Sequence, residues 1–232
     1  MSQRRLLTGL IAAGVTALVV VSLAIASTDT HQHSSAAAAA PTSAELSAVQ
    51  GTVQQWLASA GFKGFRVSEV MAFADNDYVA VNGKEGSPAF ELIIAPDLSW
   101  LMEEPASMMW NTRYGMLRGT GSTYEPIPGL SMMWGGGMMG GSSGMMGSPS
   151  SWYSRGTGKV TSLAQAVTVA DAWLSKTHSG QKAESDGRAF PGYYTLDTTL
   201  EGKTHGMLSV NARTGTVWYH GWHGAFLSEK QF

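Results

Sequence analysis

Ser162-Leu-Ala-Gln-Ala-Val-Thr-Val-Ala-Asp-Ala-Trp-Leu174, followed by Gly192-Tyr-Tyr-Thr-Leu-Asp197 and Gly202-Lys-Thr-His-Gly-Met-Leu-Ser-Val-Asn-Ala-Arg-Thr-Gly-Thr-Val-Trp-Tyr219, is the stretch whose reading decides the fold. In its first part Leu163, Ala166, Val167, Ala170, Trp173 and Leu174 recur at helical spacing behind Ser162, a residue suited to an N-cap. The remainder changes period. Runs rich in aromatic and β-branched residues, at about Ala183–Phe190, Tyr193–Thr199, Gly206–Val210 and Thr216–Tyr219, are separated by Glu201-Gly202-Lys203 and Asn211–Gly215, which carry turn chemistry.

The same order stands earlier in the chain. Leu46, Val49, Val53, Trp56 and Leu57 form one helical face, with Ser43 as a plausible cap and Gly61 as a stop. Phe65–Phe73, Tyr78–Val81 and Phe90–Ile94 then read as strands, divided by Asp75-Asn76-Asp77 and Asn82-Gly83-Lys84. Trp173 follows Trp56 by 117 positions, and the two strand regions are offset by about as much. The expectation is an α+β protein of two similar units, each one helix packed on a short antiparallel sheet, after an N-terminal apolar helix. The divisions are a signal peptide or membrane anchor over 1–27, a flexible tether over 28–44, a first unit over 45–103, a Met/Gly-rich linker over 104–160 and a second unit over 161–232.

The Gly192-Tyr-Tyr-Thr-Leu-Asp run and the Asn211-Ala-Arg-Thr-Gly215 turn leading into Val217-Trp-Tyr219 resemble the PepSY domain, clearly over 160–222. The likeness is weaker over 45–103, where Ala95-Pro-Asp-Leu98 lacks the Thr-Gly turn. The ending Val217-Trp-Tyr-His-Gly-Trp-His-Gly-Ala-Phe226, with a Gly-Met-Met-Gly linker upstream, also resembles a group of exported actinobacterial proteins. The PepSY resemblance implies an extracytoplasmic binding or inhibitory module, acting on another exported or membrane protein, and no catalysis.

Arg4 and Arg5 precede 21 uncharged residues from Leu6 to Ala26. That length suits a spanning segment of roughly 20 residues better than a cleaved apolar core of about 7–15. Ala24-Ile25-Ala26 has the small-x-small pattern of a cleavage site, so both readings stand. Either one places the rest of the chain outside the cytoplasm, and residues 6–26 contact the membrane if they are retained. Without Arg4 and Arg5 the chain carries 13 basic against 17 acidic residues, which argues against a nucleic-acid partner.

The chain has no cysteine, so a soft metal ligand must be methionine or histidine. Ten of its thirteen methionines lie between Leu101 and Gly147, and six of them, Met132, Met133, Met138, Met139, Met145 and Met146, alternate in pairs with glycines. Thioethers suit Cu(I), or silver, and persist where a reduced thiol would not. The same methionines would also serve as adaptable apolar filler, or as part of a plain linker. His220 and His223 stand close enough to join such a metal site, or else are surface histidines at a strand end. Glu103, Glu104, Asp75 and Asp77 read as exposed turn carboxylates.

No Gly-x-Ser-x-Gly, His-Glu-x-x-His or Gly-x-x-x-x-Gly-Lys motif occurs, so the reading is not an enzyme. It is an extracytoplasmic binding protein that handles copper through the Met-rich segment with His220 and His223, Cu(I) being the only cofactor expected. The alternative is a PepSY-type interaction module.

Overall fold

The computed structural model describes residues 39–115 and 153–232, all of them within one compact unit. The N-terminal segment 1–27, the tether as far as residue 38 and the six paired methionines Met132–Met146 lie outside the described residues. Among the described residues no helix is long and apolar enough to cross a membrane.

The class is α+β with antiparallel sheets. The cap of helix α1 (Ser43–Ser59) lies one residue before the expected Ser43. Thr42 accepts from the Glu45 amide while the Glu45 carboxylate accepts from the Thr42 amide, a reciprocal capping box. Strands β1 (Arg66–Phe73), β2 (Asp77–Asn82), β3 (Pro88–Ile94) and β4 (Leu101–Glu103) follow, then a short helix α2 (Pro105–Trp110). The later half contributes helix α3 (Leu163–Thr177), capped by Ser162 as expected. After it come β5 (Gln181–Ala183), β6 (Arg188–Phe190), β7 (Tyr193–Leu200), β8 (Lys203–Asn211), β9 (Val217–Tyr219) and β10 (Phe226–Gln231).

One sheet runs β10-β1-β2-β3-β4, and the other runs β5-β7-β8-β9 with β6 also on β7. The strand expected over 183–190 is therefore two short strands. Gly187 sits in the break, where a Cβ would lie 2.3 Å from a Leu196 methyl and 2.5 Å from the Thr195 carbonyl oxygen. Three further elements fall outside the expected pattern: β4 closes the expected first unit, α2 lies at the start of the expected linker, and β10 carries the chain end onto β1, pairing Glu69 with Gln231 and Met71 with Glu229. The expected second unit thus contributes an edge strand to the sheet of the first.

Packing follows from side-chain alternation. Leu46, Val49, Val53 and Leu57 of α1 bury against Val67, Val79, Val81, Phe90 and Leu92 on one face of the first sheet. Ala166, Ala170 and Leu174 of α3 bury against Leu196, Leu208 and Val210 on one face of the second. Each fully buried aliphatic side chain contributes roughly 1.5–3 kcal/mol. The opposite faces meet each other, with Met71, Phe73 and Tyr78 clustered around Met207. This makes four layers, helix, sheet, sheet and helix. It also explains why β1 and β2 are buried along almost their whole length. Arg188 fastens the two sheets by donating to Glu69 at 3.0 Å and to Gln231 at 2.9 Å.

The layer between the sheets is unusually polar. Glu91, Glu104, Thr195, Ser209, His220 and His223 are all buried, and the first of these is 0 % exposed.

Candidate metal centre

Glu104 follows β4 and caps α2. Its amide donates to the Glu91 carbonyl at 3.0 Å, so the middle of β3 fixes its backbone. Its Oε2 accepts from the Ala106 amide at 2.6 Å, which leaves Oε1 to face the interior. His220 leaves β9 with its amide bonded to the Met207 carbonyl at 3.0 Å, and a tight turn through Gly221 and Trp222 brings back His223, whose amide donates to the His220 carbonyl at 3.3 Å. The His220 ring stacks on Trp222 at 4.7 Å, and the His223 ring stacks on Phe73 at 4.6 Å.

Glu104 Oε1 lies 3.1 Å from His220 Nδ1 and 4.0 Å from His223 Nε2. All three atoms lie within 4.8 Å of one another. None has a hydrogen-bond partner: the 3.1 Å approach is close, but it is not aligned as a hydrogen bond. Three buried, mutually facing and unpaired ligand atoms are costly in a protein interior. A tetrahedral ion with bonds of about 2.0–2.2 Å holds its ligand atoms about 3.3–3.6 Å apart, a spacing within the range seen here.

The other side of each ligand is occupied. His220 Nε2 is 3.0 Å from Ser209 Oγ, which is itself 3.0 Å from Thr195 Oγ1. His223 Nδ1 makes a very short contact with Asn76 Oδ1. Each ring therefore uses one nitrogen in a hydrogen bond and turns the other toward Glu104, the arrangement typical of metal-bound histidines.

Burial holds the His220 imidazole well below its usual range, with His223 adding to the effect, and lowers His223 to about 3. Burial first, and then the Glu91 charge, hold the Glu104 carboxyl well above the carboxylate range. These shifts favour two neutral imidazoles and a protonated carboxyl, and a cation would take the place of the acid proton. Beneath them Glu91 accepts from the hydroxyls of Tyr78 at 2.6 Å and Tyr193 at 2.7 Å. Burial pushes its carboxyl up to about 7 against those bonds.

A separate cavity of about 90 Å³ is lined by Glu69, Glu184, Asp186, Asp197 and Glu229 around Arg188. Burial, and then repulsion from Glu69, raise Asp197 and Glu229 there.

His220 and His223, singled out in the sequence, are thus brought together, and both are buried rather than on the surface. Glu103 and Glu104 are also buried, which corrects their reading as exposed turn carboxylates; Asp77 is buried as well, while Asp75 is exposed. Met132, Met133, Met138, Met139, Met145 and Met146 lie outside the described residues. Of the other clustered methionines, Met102 lies in β4, Met108 is buried in α2, and Met109 is exposed. The third member of the cluster, Glu104, had no signal in the sequence, because only the pairing of β3 with β4 and the return of the chain after β9 bring it to the histidines. The chain matches no family model, no curated protein and no solved structure.

Proposed function

We propose that this chain is an extracytoplasmic, non-enzymatic metal-binding protein whose centre is Glu104, His220 and His223. The observation that carries this reading is the convergence of three buried ligand atoms that nothing else satisfies. Two imidazoles and a carboxylate are borderline to hard donors, and they favour a divalent first-row ion such as Zn²⁺ or Cu²⁺ over Cu(I). Ligand side chains at most 2 % exposed suit retention of an ion rather than turnover of a substrate. The basic residues and apolar run at the N-terminus support placement outside the cytoplasm.

Untagged protein should carry close to one equivalent of a divalent metal by elemental analysis, or take one up from a zinc or copper(II) buffer. A His220→Ala, His223→Ala double variant should not. Wild-type protein that takes up no metal overturns the reading.

The methionine pairs support a second, independent capacity, in which Met132 to Met146 bind Cu(I) at about micromolar or tighter affinity. That binding should survive the double histidine variant and be lost when the six methionines become leucine. The repeated order of a helix and antiparallel strands supports a further reading as two PepSY-like units that engage an exported or membrane protein. Its mark is a co-purifying partner whose binding survives chelation.

A further inference from the structure

We infer that Asn76 and Ser209 are positioning residues that lock the two histidines in opposite tautomers, His223 with its proton on Nδ1 and His220 with its proton on Nε2; this rests on the metal centre proposed above.

The assignment at Asn76 follows from one bond. Its Nδ2 donates to the Trp222 carbonyl at 2.9 Å, so the amide cannot turn over without placing two acceptors together. Oδ1 must then face His223 Nδ1, and an amide oxygen only accepts, so Nδ1 carries the hydrogen. His223 Nε2 is left with its lone pair directed toward Glu104 Oε1, 4.0 Å away.

At His220 the other nitrogen is anchored. A hydrogen on Nδ1 would be buried without a partner, since that atom makes no hydrogen bond. A hydrogen on Nε2 is satisfied by Ser209 Oγ at 3.0 Å. The Ser209 hydroxyl passes its own hydrogen to Thr195 at 3.0 Å, and the Thr195 hydroxyl is a further partner of the Glu91 carboxyl. The chain of hydroxyls thereby gains a direction, running from the ring toward an acceptor. One ligand thus presents Nδ1 and the other Nε2, which lets residues three apart in a tight turn aim at one point from different sides.

The test is nitrogen-15 NMR of the imidazoles in metal-free protein at neutral pH, combined with a zinc titration. His220 should appear as the Nε2–H form and His223 as the Nδ1–H form. The opposite tautomer at either ring overturns the inference, whether or not the protein binds metal, so its failure is distinct from that of the proposed function. Ser209→Ala should convert His220 into a mixture and weaken zinc binding by about ten-fold or more. Asn76→Asp, which keeps an acceptor, should retain the Nδ1–H form of His223, whereas Asn76→Leu should lose it. Unchanged tautomers and zinc affinity in folded Ser209→Ala and Asn76→Leu would also overturn the proposal.

Discussion

Glu104 Oε1 and His220 Nδ1 approach to 3.1 Å with both side chains wholly buried, an environment that disfavours a charged pair. Burial raises the acid and lowers the imidazole, which favours the neutral form of each group. A neutral, misaligned pair contributes little, and a buried charge pair of that kind would stabilise only with excellent geometry. A dication between the two atoms would turn the same arrangement into a strong one.

Glu104→Gln separates the two roles of this residue. The amide is close in shape to the protonated acid present without metal, so metal-free stability should change by less than about 1 kcal/mol. The ligand charge is gone, however. A saturating zinc concentration, about a hundred times the dissociation constant, should stabilise the wild type by about 2.7 kcal/mol and the variant by almost nothing. Thermal unfolding with and without zinc reads both effects, and equal zinc-induced shifts would remove Glu104 from the centre.

Metal affinity should rise with pH. Burial lowers His223 to about 3 and holds His220 well below its usual range, so the imidazoles contribute little to proton release near neutral pH. The raised Glu104 carboxyl does have one, and binding must expel it. Isothermal titration in two buffers of different ionisation enthalpy should show about one proton released per ion near neutral pH. No release, or uptake, would contradict the neutral acid.

Helices α1 and α3 were legible because each keeps an apolar face at regular spacing, and most strands because their turns carry Asn, Asp and Gly. Even so, the α1 cap fell on Thr42, since the reciprocal bond with Glu45 selects it over Ser43. Strand β10 left little trace: four of the six residues in Phe226-Leu-Ser-Glu-Lys-Gln231 are polar, and what orders it is β1, far away in sequence. The site was half legible. His220 and His223 stood out by spacing, whereas Glu104 was assigned to solvent because carboxylates are seldom buried. The backbone bond from Glu104 to Glu91, the Asn76 clamp on Trp222 and the Ser209 hydroxyl are products of the fold, and no local pattern encodes them.

Asp77→Asn should stabilise the protein in a pH-dependent way. Desolvation raises the Asp77 carboxyl from 3.8 to about 6. A raised acid holds its proton longer in the folded state than in the unfolded one, so folding loses stability as pH climbs from about 4 to 6 and the loss is complete above that. The asparagine carries no such penalty. Its advantage should be absent below about pH 4 and reach about 1 kcal/mol near pH 7, after allowance for partial solvent screening. That corresponds to about 2–4 °C in melting temperature. An advantage equally large at pH 3.5 would assign it to packing instead of charge.

Gly192→Ala should damage the fold and the centre together, and the cause can be isolated. Gly192 lies in the turn from β6 to β7 at φ +96°, and a Cβ there would sit 2.4 Å from the Trp110 carbonyl oxygen and 2.8 Å from a Thr112 methyl. That turn grips the end of α2, with the Thr112 amide donating to the Pro191 carbonyl at 2.9 Å. The helix it grips begins beside Glu104, so displacing α2 shifts the ligand. Backbone strain of up to about 1 kcal/mol and overpacking of about 1–3 kcal/mol should add. Gly202→Ala supplies the control, since Gly202 also has positive φ, +75°, but nothing lies within 4 Å of its Cβ position. It should cost only the strain and leave zinc affinity unchanged. Denaturant unfolding and zinc titration of the two variants side by side should therefore diverge, and equal losses would mean that the contact between the turn and α2 does not govern the position of Glu104.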